Sequence, residues 1–251
     1  MFRKLLLAYK QLQFYRKALN GKGHGIHSPF VYTFTTEVLN NDRLFYAYDE
    51  IGFLKKKLLK DKTKIHYNGK EISIGALATQ SLPDKYNQLL FRIVSYYKPK
   101  NILEIGTSLG LSTAYLASPD TNIKVHSTEE NKELTAVAAQ NIKELSLTNI
   151  HFKTSLQSIS NQTGKLEQQY GLIFINKTNE DIYQVFLKLF TLINENTIVV
   201  FRDINKDLET SKSWDLIKTH ATTMISIELF QLSLVFFRKE QLKKQHFAIR
   251  F

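Results

Sequence analysis

The stretch Glu104-Ile105-Gly106-Thr107-Ser108-Leu109-Gly110-Leu111-Ser112 holds the densest set of residues in this chain that could do chemistry. It follows the apolar run Ile102-Leu103 and precedes a sequence of helical character, so it reads as the turn between a buried strand and a helix. Such a turn needs positions without Cβ where the backbone bends against a ligand, and the helix that follows offers N–H groups with no partner inside the helix. The glycines are spaced G-x-x-x-G. That is neither the G-x-G-x-x-G fingerprint of nicotinamide enzymes nor a phosphate-binding loop, which would continue into Gly-Lys-Ser/Thr. An ordinary strand-to-helix turn would account for Gly106 and Gly110 but not for the acid Glu104.

About 25 residues further on, Val125-His126-Ser127-Thr128 runs into Glu129-Glu130-Asn131. An acid at the tip of a second strand can accept both ribose hydroxyls of an adenosine cofactor, and Glu129 is placed for that. It can also be read as a carboxylate favoured by the start of a helix. A third region, Thr154-Ser155-Leu156-Gln157, follows the third strand where an adenine ring would rest, with Ser155 and Leu156 nearest; Ser155 as a plain helix cap is the competing reading.

These residues need a parallel sheet to bring them together, and the rhythm of the chain supplies one. From Asn101 onward short β-branched runs alternate with amphipathic stretches, which predicts strands over 101–105, 123–128, 149–153, 171–175 and 197–201 with helices between them. After a helix over 209–220, the runs Met224–Phe230 and Leu232–Phe237 lie too close for a helical crossover and are expected to pair antiparallel. Before Pro99 the pattern is helical, over 2–19, 30–40, 43–61 and 84–97. In the first of these, Leu5, Leu6, Tyr9, Leu12 and Tyr15 fall at helical spacing, which suits a packed lid helix better than membrane contact. Ser28-Pro29 fits an N-cap followed by proline at the first helical position. The expected division is a helical lid over 1–97 and a cofactor domain over 98–251.

Bulk properties narrow the function classes. With 43% hydrophobic residues among 251 the chain can bury a full core, which argues against disorder. No cysteine means no disulfide, thiolate metal site or cysteine nucleophile, and the expectation is a soluble cytoplasmic protein. The N-terminal apolar run is too short for a signal peptide and lacks a cleavage site. The net charge of +11 comes from scattered lysines with small clusters at Lys55-Lys56-Lys57 and Lys243-Lys244, a weak signal that leaves a nucleic-acid partner unlikely.

Asn101 to Ala117, NILEIGTSLGLSTAYLA, resembles motif I of the class I S-adenosylmethionine-dependent methyltransferases, with Gly106, Gly110 and Ser112 on the G-x-x-x-G-x-S/T pattern of the catechol-type O-methyltransferase branch. His24-Gly25-Ile26-His27-Ser28-Pro29-Phe30-Val31-Tyr32 and the ending Val235-Phe236-Phe237-Arg238-Lys239-Glu240 are similar to a group of bacterial methyltransferase-like proteins. The resemblance implies a doubly wound, Rossmann-like α/β fold with a seven-stranded sheet, five parallel strands and then an antiparallel hairpin, under an N-terminal helical lid. It implies S-adenosylmethionine as cofactor, held by Glu104, Gly106, Thr107, Ser108, Gly110, Ser112, Glu129, Ser155 and Leu156.

The same resemblance implies an acceptor site at the ends of the fourth and fifth strands. There the branch supplies an Asp and then an Asp-Asn pair that bind a divalent metal, whereas this chain has Asn176 and then Arg202-Asp203. One carboxylate beside an arginine is a poor set for a hard cation, so no metal is expected. Asp203 and Asn176 are the catalytic candidates, with Asp203 as the base and His24 and His27 as weaker choices that suit a structural role. Asn176-Lys177-Thr178-Asn179 lacks the prolines and aromatic that sandwich a flipped base, which argues against base methylation. The reading is O-methyl transfer to a small molecule; the alternatives are a catalytically silent module binding cofactor or a protein, RNA methylation on charge alone, and a possible homodimer.

Overall fold

Helix α1 (Phe2–Lys17) closes on Arg16 and Lys17, cations that suit the negative end of its dipole. The computed structural model describes residues 2–21, 25–156, 169–240 and 243–251 of the chain. The inward stripe of α1 is not the one its apolar spacing suggests. Phe14 and Ala18, four residues apart, pack with Tyr15 on Phe230, whereas Tyr9 and Leu12 face solvent. The side chains of Leu5 and Leu6 lie outside the described set. Helix α2 (Pro29–Thr33) starts as expected, with Ser28 at the N-cap and Pro29 at the first position, and runs on as a π-helical turn over Phe34–Leu39. Its fully buried residues are Val31, Phe34, Thr35 and Val38, and Phe30 and Phe34 both set their rings edge-on to Phe236.

The described residues group into two compact units, one spanning 42–168 and the other made of 1–41 with 169–251. The boundary expected after residue 97 therefore falls inside the first of these. That unit begins with α3 (Tyr46–Leu59) and a hairpin of β1 (Lys64–Tyr67) and β2 (Lys70–Ser73). Asn68 and Gly69 turn the hairpin with φ of 50° and 73°, the left-handed pair that a two-residue turn between twisted strands requires. Helices α4 (Ile74–Ala78) and α5 (Asp84–Tyr97) follow, then β3 (Asn101–Ile105), α6 (Leu111–Ala117), β4 (Lys124–Thr128), α7 (Lys132–Glu144) and β5 (Ile150–Lys153). Strands β3, β4 and β5 pair in parallel, with Glu104 opposite Ser127 and Ile105 opposite Thr128. Helices α3 and α5 both pack on α6, and the core they enclose includes Tyr48, Ile51, Leu54, Phe91, Leu111 and Tyr115.

In the other unit β6 (Leu172–Ile175) is followed by α8 (Ile182–Lys188), β7 (Ile198–Arg202), α9 (Leu208–Thr219), β8 (Ile225–Glu228), β9 (Leu232–Phe236) and β10 (Gln245–Ala248). Strands β6 and β7 are parallel; β9 runs antiparallel to both β7 and β8, as the short link between the last two predicted runs requires. The expected count of seven strands is short by one, because β10 adds to β8 in parallel. Its four residues are too few and too mixed to announce themselves. They are held by the ladder, by a Ser226–His246 hydrogen bond of 2.8 Å, and by a bridge from Leu19 to Ile249. Gly21 continues that contact: a Cβ there would lie 2.2 Å from the carbonyl oxygen of Arg250, so no other residue fits. The fold is Rossmann-like, with a mixed and mostly parallel set of eight strands among the described residues. No helix among them is long and apolar enough to cross a membrane.

Candidate functional site

The carboxyl ends of parallel strands are where an open α/β sheet binds its ligands, and the turn leaving β3 is the most constrained piece of backbone there. Gly106 has φ of 91°, Ser108 of 52° and Gly110 of 79°. The N–H groups of Gly106 and Thr107 both donate to the carbonyl of Thr128, each at 3.0 Å, which locks the turn to the end of β4. Gly110 has its own reason to be glycine: besides its left-handed backbone, a Cβ there would sit 3.2 Å from the Cβ of Ala138 on α7. The glycine that the sequence suggested for a ligand thus also lets two helices approach.

Glu104 is fully buried and accepts hydrogen bonds from the hydroxyls of Ser112, Thr113 and Ser127, the last at 2.7 Å. Thr107 joins through its hydroxyl, 2.6 Å from that of Ser127. Burial pushes the Glu104 carboxyl up to about 7; the three hydroxyls work against that shift and the charge of Glu129 adds to it. Glu104, Thr107 and Ser112 are therefore parts of one enclosed network that fastens β3, β4 and the first turn of α6. The network also enlists Thr113 and Ser127, which the sequence reading missed. The strand register was the available clue, since it sets Ser127 directly across from Glu104.

Half-buried Glu129 turns its carboxylate onto this turn, accepting from the N–H of Ser108 at 2.9 Å and from that of Asn131 at 3.2 Å. The helix-start role belongs to other residues, because Asn131 caps α7 by accepting from Leu134 N–H and Glu133 supplies the acid of the first turn. A carboxylate has about four acceptor positions, so the two bonds made here leave capacity for a diol. The N–H of Glu129 donates to Lys153 at the end of β5, which ties the Ser155 and Leu156 segment to the same sheet end. Both of those residues are half-buried, and Gln157 lies outside the described residues.

In the other unit, Asn176 follows β6 and Arg202 ends β7. The Arg202 guanidinium donates through Nη1 to Asn176 Oδ1 and through Nε to Asp203 Oδ2, both at 3.0 Å. Asp203 has φ of 54°, a strained value for a residue with a side chain. Its N–H donates to Gln231, and its carbonyl accepts from Lys206. The loop after it is held by a residue that the sequence did not mark: Lys10 of α1 donates to the carbonyls of Asn205 and Asp207 and to the Ser211 hydroxyl. His27 is exposed, and His24 lies outside the described residues. The donors do not fit a divalent metal. Asp203 is the one carboxylate beside Arg202, one of its two oxygens and the Asn176 side-chain oxygen both accept from that guanidinium, and no group of three His, Cys, Asp or Glu suited to a metal occurs among the described residues.

Residues 103–204 match the family described as "Methyltransferase domain". Solved structures share the fold at low identity. A methyltransferase of Podospora anserina bound to S-adenosylhomocysteine superposes with a TM-score of 0.61 at 12% identity, over 85% of this chain and 97% of that one. An O-methyltransferase of Bacillus cereus in complex with S-adenosylhomocysteine gives 0.57 at 16%, over 82% and 96%. The O-methyltransferase TomG of Streptomyces achromogenes, involved in tomaymycin synthesis and in complex with S-adenosylmethionine, gives 0.57 at 14%, over 83% and 95%. No curated protein matches the chain by sequence. Residues 103–204 are thus similar to that methyltransferase-domain family, and the chain shares the fold of these solved structures.

Proposed function

We propose that this protein transfers a methyl group from S-adenosylmethionine to an oxygen of a small acceptor, without a metal. The observation that carries the reading is Glu129 facing the β3 turn, with its carboxylate on Ser108 N–H and capacity left for two ribose hydroxyls. Gly106, Thr107, Ser108 and Gly110 would shape the floor under the amino-acid part of the cofactor, and Glu104 and Ser112 hold that floor from behind. Ser155 and Leu156 would border the adenine. When bound, the cofactor supplies an activated methyl carbon. Positioning an acceptor in line with it is worth on the order of 7–11 kcal/mol in favourable cases, which makes a metal dispensable.

Asp203 is the base in this reading, withdrawing the acceptor proton, and Asn176 orients the acceptor; general-base help is typically worth about 10² to 10⁴-fold. Helices within 1–97 are the lid in this reading. The setting is cytoplasmic, the acceptor is a small molecule rather than nucleic acid, and a homodimer is compatible with the reading. One observation favours the rival, a module that binds cofactor without turnover: the Asp203 carboxylate already accepts from Arg202. Incubating the purified protein with labelled S-adenosylmethionine and a panel of phenols and hydroxy acids separates the two. Formation of S-adenosylhomocysteine that is lost in Asp203→Asn supports transfer. Bound cofactor with no product across the panel supports the rival.

A further inference from the structure

The arginine between Asn176 and Asp203 is more than a reason to doubt a metal. A guanidinium is planar, always charged and presents its donors in a fixed fork, so two acceptors bonded to it are held at a set distance and angle. Here one plane serves both acceptors, from the last residue of β7 to the residue after β6 and to its own neighbour. The Arg202 side chain is 17% exposed and that of Asp203 44%, so the cation sits behind and the carboxylate in front. The left-handed backbone at Asp203, fixed by its N–H on Gln231, turns that carboxylate back toward Nε. We propose that Arg202 is the resident cation of the acceptor site, a positioning residue whose guanidinium occupies the oxygens a divalent ion would need and fixes Asn176 and Asp203 for an acceptor hydroxyl.

This inference rests on the O-methyl-transfer reading, but its test does not. A divalent ion would have to displace a covalently tethered cation from both oxygens and then sit beside its charge, so the native chain should refuse it. Removing the arginine and restoring acids should reverse that, because three carboxylate-bearing neighbours on two adjacent strand ends make an oxygen set suited to a hard cation. The probe is Mn²⁺ alone, without cofactor, followed by the loss of its free-ion paramagnetic resonance signal and by thermal melting.

The expected result is no saturable binding to the native protein up to roughly 1 mM Mn²⁺. The double variant Asn176→Asp/Arg202→Asp should take up one ion, at least about tenfold more tightly than the native chain, with a melting point that rises with Mn²⁺. Native binding that disappears in Asp203→Asn overturns the proposal. So does a folded double variant, judged by its circular dichroism, that binds no better than the native chain. Should the double variant not fold, Arg202→Met carries the test: a more modest gain in Mn²⁺ binding over the native protein supports the proposal, and none overturns it. S-adenosylhomocysteine binding by the same preparations reports on the cofactor reading separately, so the two ideas fail independently.

Discussion

The turn after β3 and the ends of β6 and β7 handle buried charge in opposite ways. At the first, a carboxylate is sealed from water among the neutral hydroxyls of Ser112, Thr113 and Ser127. At the second, a guanidinium holds a half-exposed carboxylate and an amide. The first arrangement suits a fixed shape, because neutral donors hold an acid whose ionisation burial has made costly. The second suits a site that must remain polar and reachable. The difference separates a turn whose shape is fixed by neutral donors from strand ends that carry their own cation.

The largest effect should come from the turn. Gly110→Val places a branched side chain at φ of 79° and against Ala138, and is expected to cost about 2–4 kcal/mol in urea unfolding. A loss below about 1 kcal/mol would mean that the turn is looser than its bonds imply. Next is the pH dependence of Glu104. Its folded value of about 7 lies above the ordinary 4.5, so the native state holds the proton more tightly and stability falls as pH rises through that window. Relative to Glu104→Gln, the native protein should lose on the order of 1–3 kcal/mol between pH 4.5 and pH 7.5. Parallel curves for the two proteins would show that the carboxyl is not sealed.

His126 on β4, one position before Ser127, should mask part of that slope. Burial, then the charges of His151, Lys153 and Lys124, lower it from 6.5 to about 4. Its contribution is full above pH 6.5 and is lost as pH falls toward 4, opposite in sign to that of Glu104. His126→Gln should therefore steepen the gain in stability toward acid by about 1 kcal/mol, read from melts at pH 5 and pH 7. The smallest effect belongs to the acceptor side. Lys10→Met removes three bonds from the loop after β7 and should cost about 0.5–1 kcal/mol. Hydrogen exchange should quicken over 204–211 and not in α6; uniform quickening would break the contrast between the two regions.

What could be read from the sequence follows the strength of local signals. Strands β6 and β7 were legible because each is a short apolar run buried on both faces, and the hairpin of β8 and β9 because no crossover fits between them. The hairpin of β1 and β2 carries a strong short turn signal, Asn68-Gly69, but lies in the gap between the helices expected over 43–61 and 84–97, where no strand is predicted. Strand β10 was not legible: its place depends on β8 and on a bridge from Leu19, more than two hundred residues away in the chain. The buried stripe of α1 was misjudged for a similar reason. Phe14 is chosen by Phe230, a partner that periodicity within the helix does not see.

At the site, the identity of the residues was legible and their duties less so. Gly106, Gly110 and Glu129 stood out by type and spacing, and Glu129 faces the turn. Glu104 looked like a ligand residue and is enclosed among hydroxyls, because the strand register brings Ser127 to it and the start of α6 brings Ser112 and Thr113. Arg202 looked like a missing acid and proves to be a clamp, which only the placement of Asn176 beside it could show.

On the proposed reading, the turn after β3, with Glu129, holds an adenosyl cofactor. Calorimetric titration with S-adenosylhomocysteine tests it most directly. The native protein should give a single-site isotherm with micromolar affinity, weakened about 10 to 100-fold in Glu129→Ala as charge-assisted bonds to the ribose are lost. No saturable heat at millimolar ligand, or equal affinity in Glu129→Ala, would contradict it.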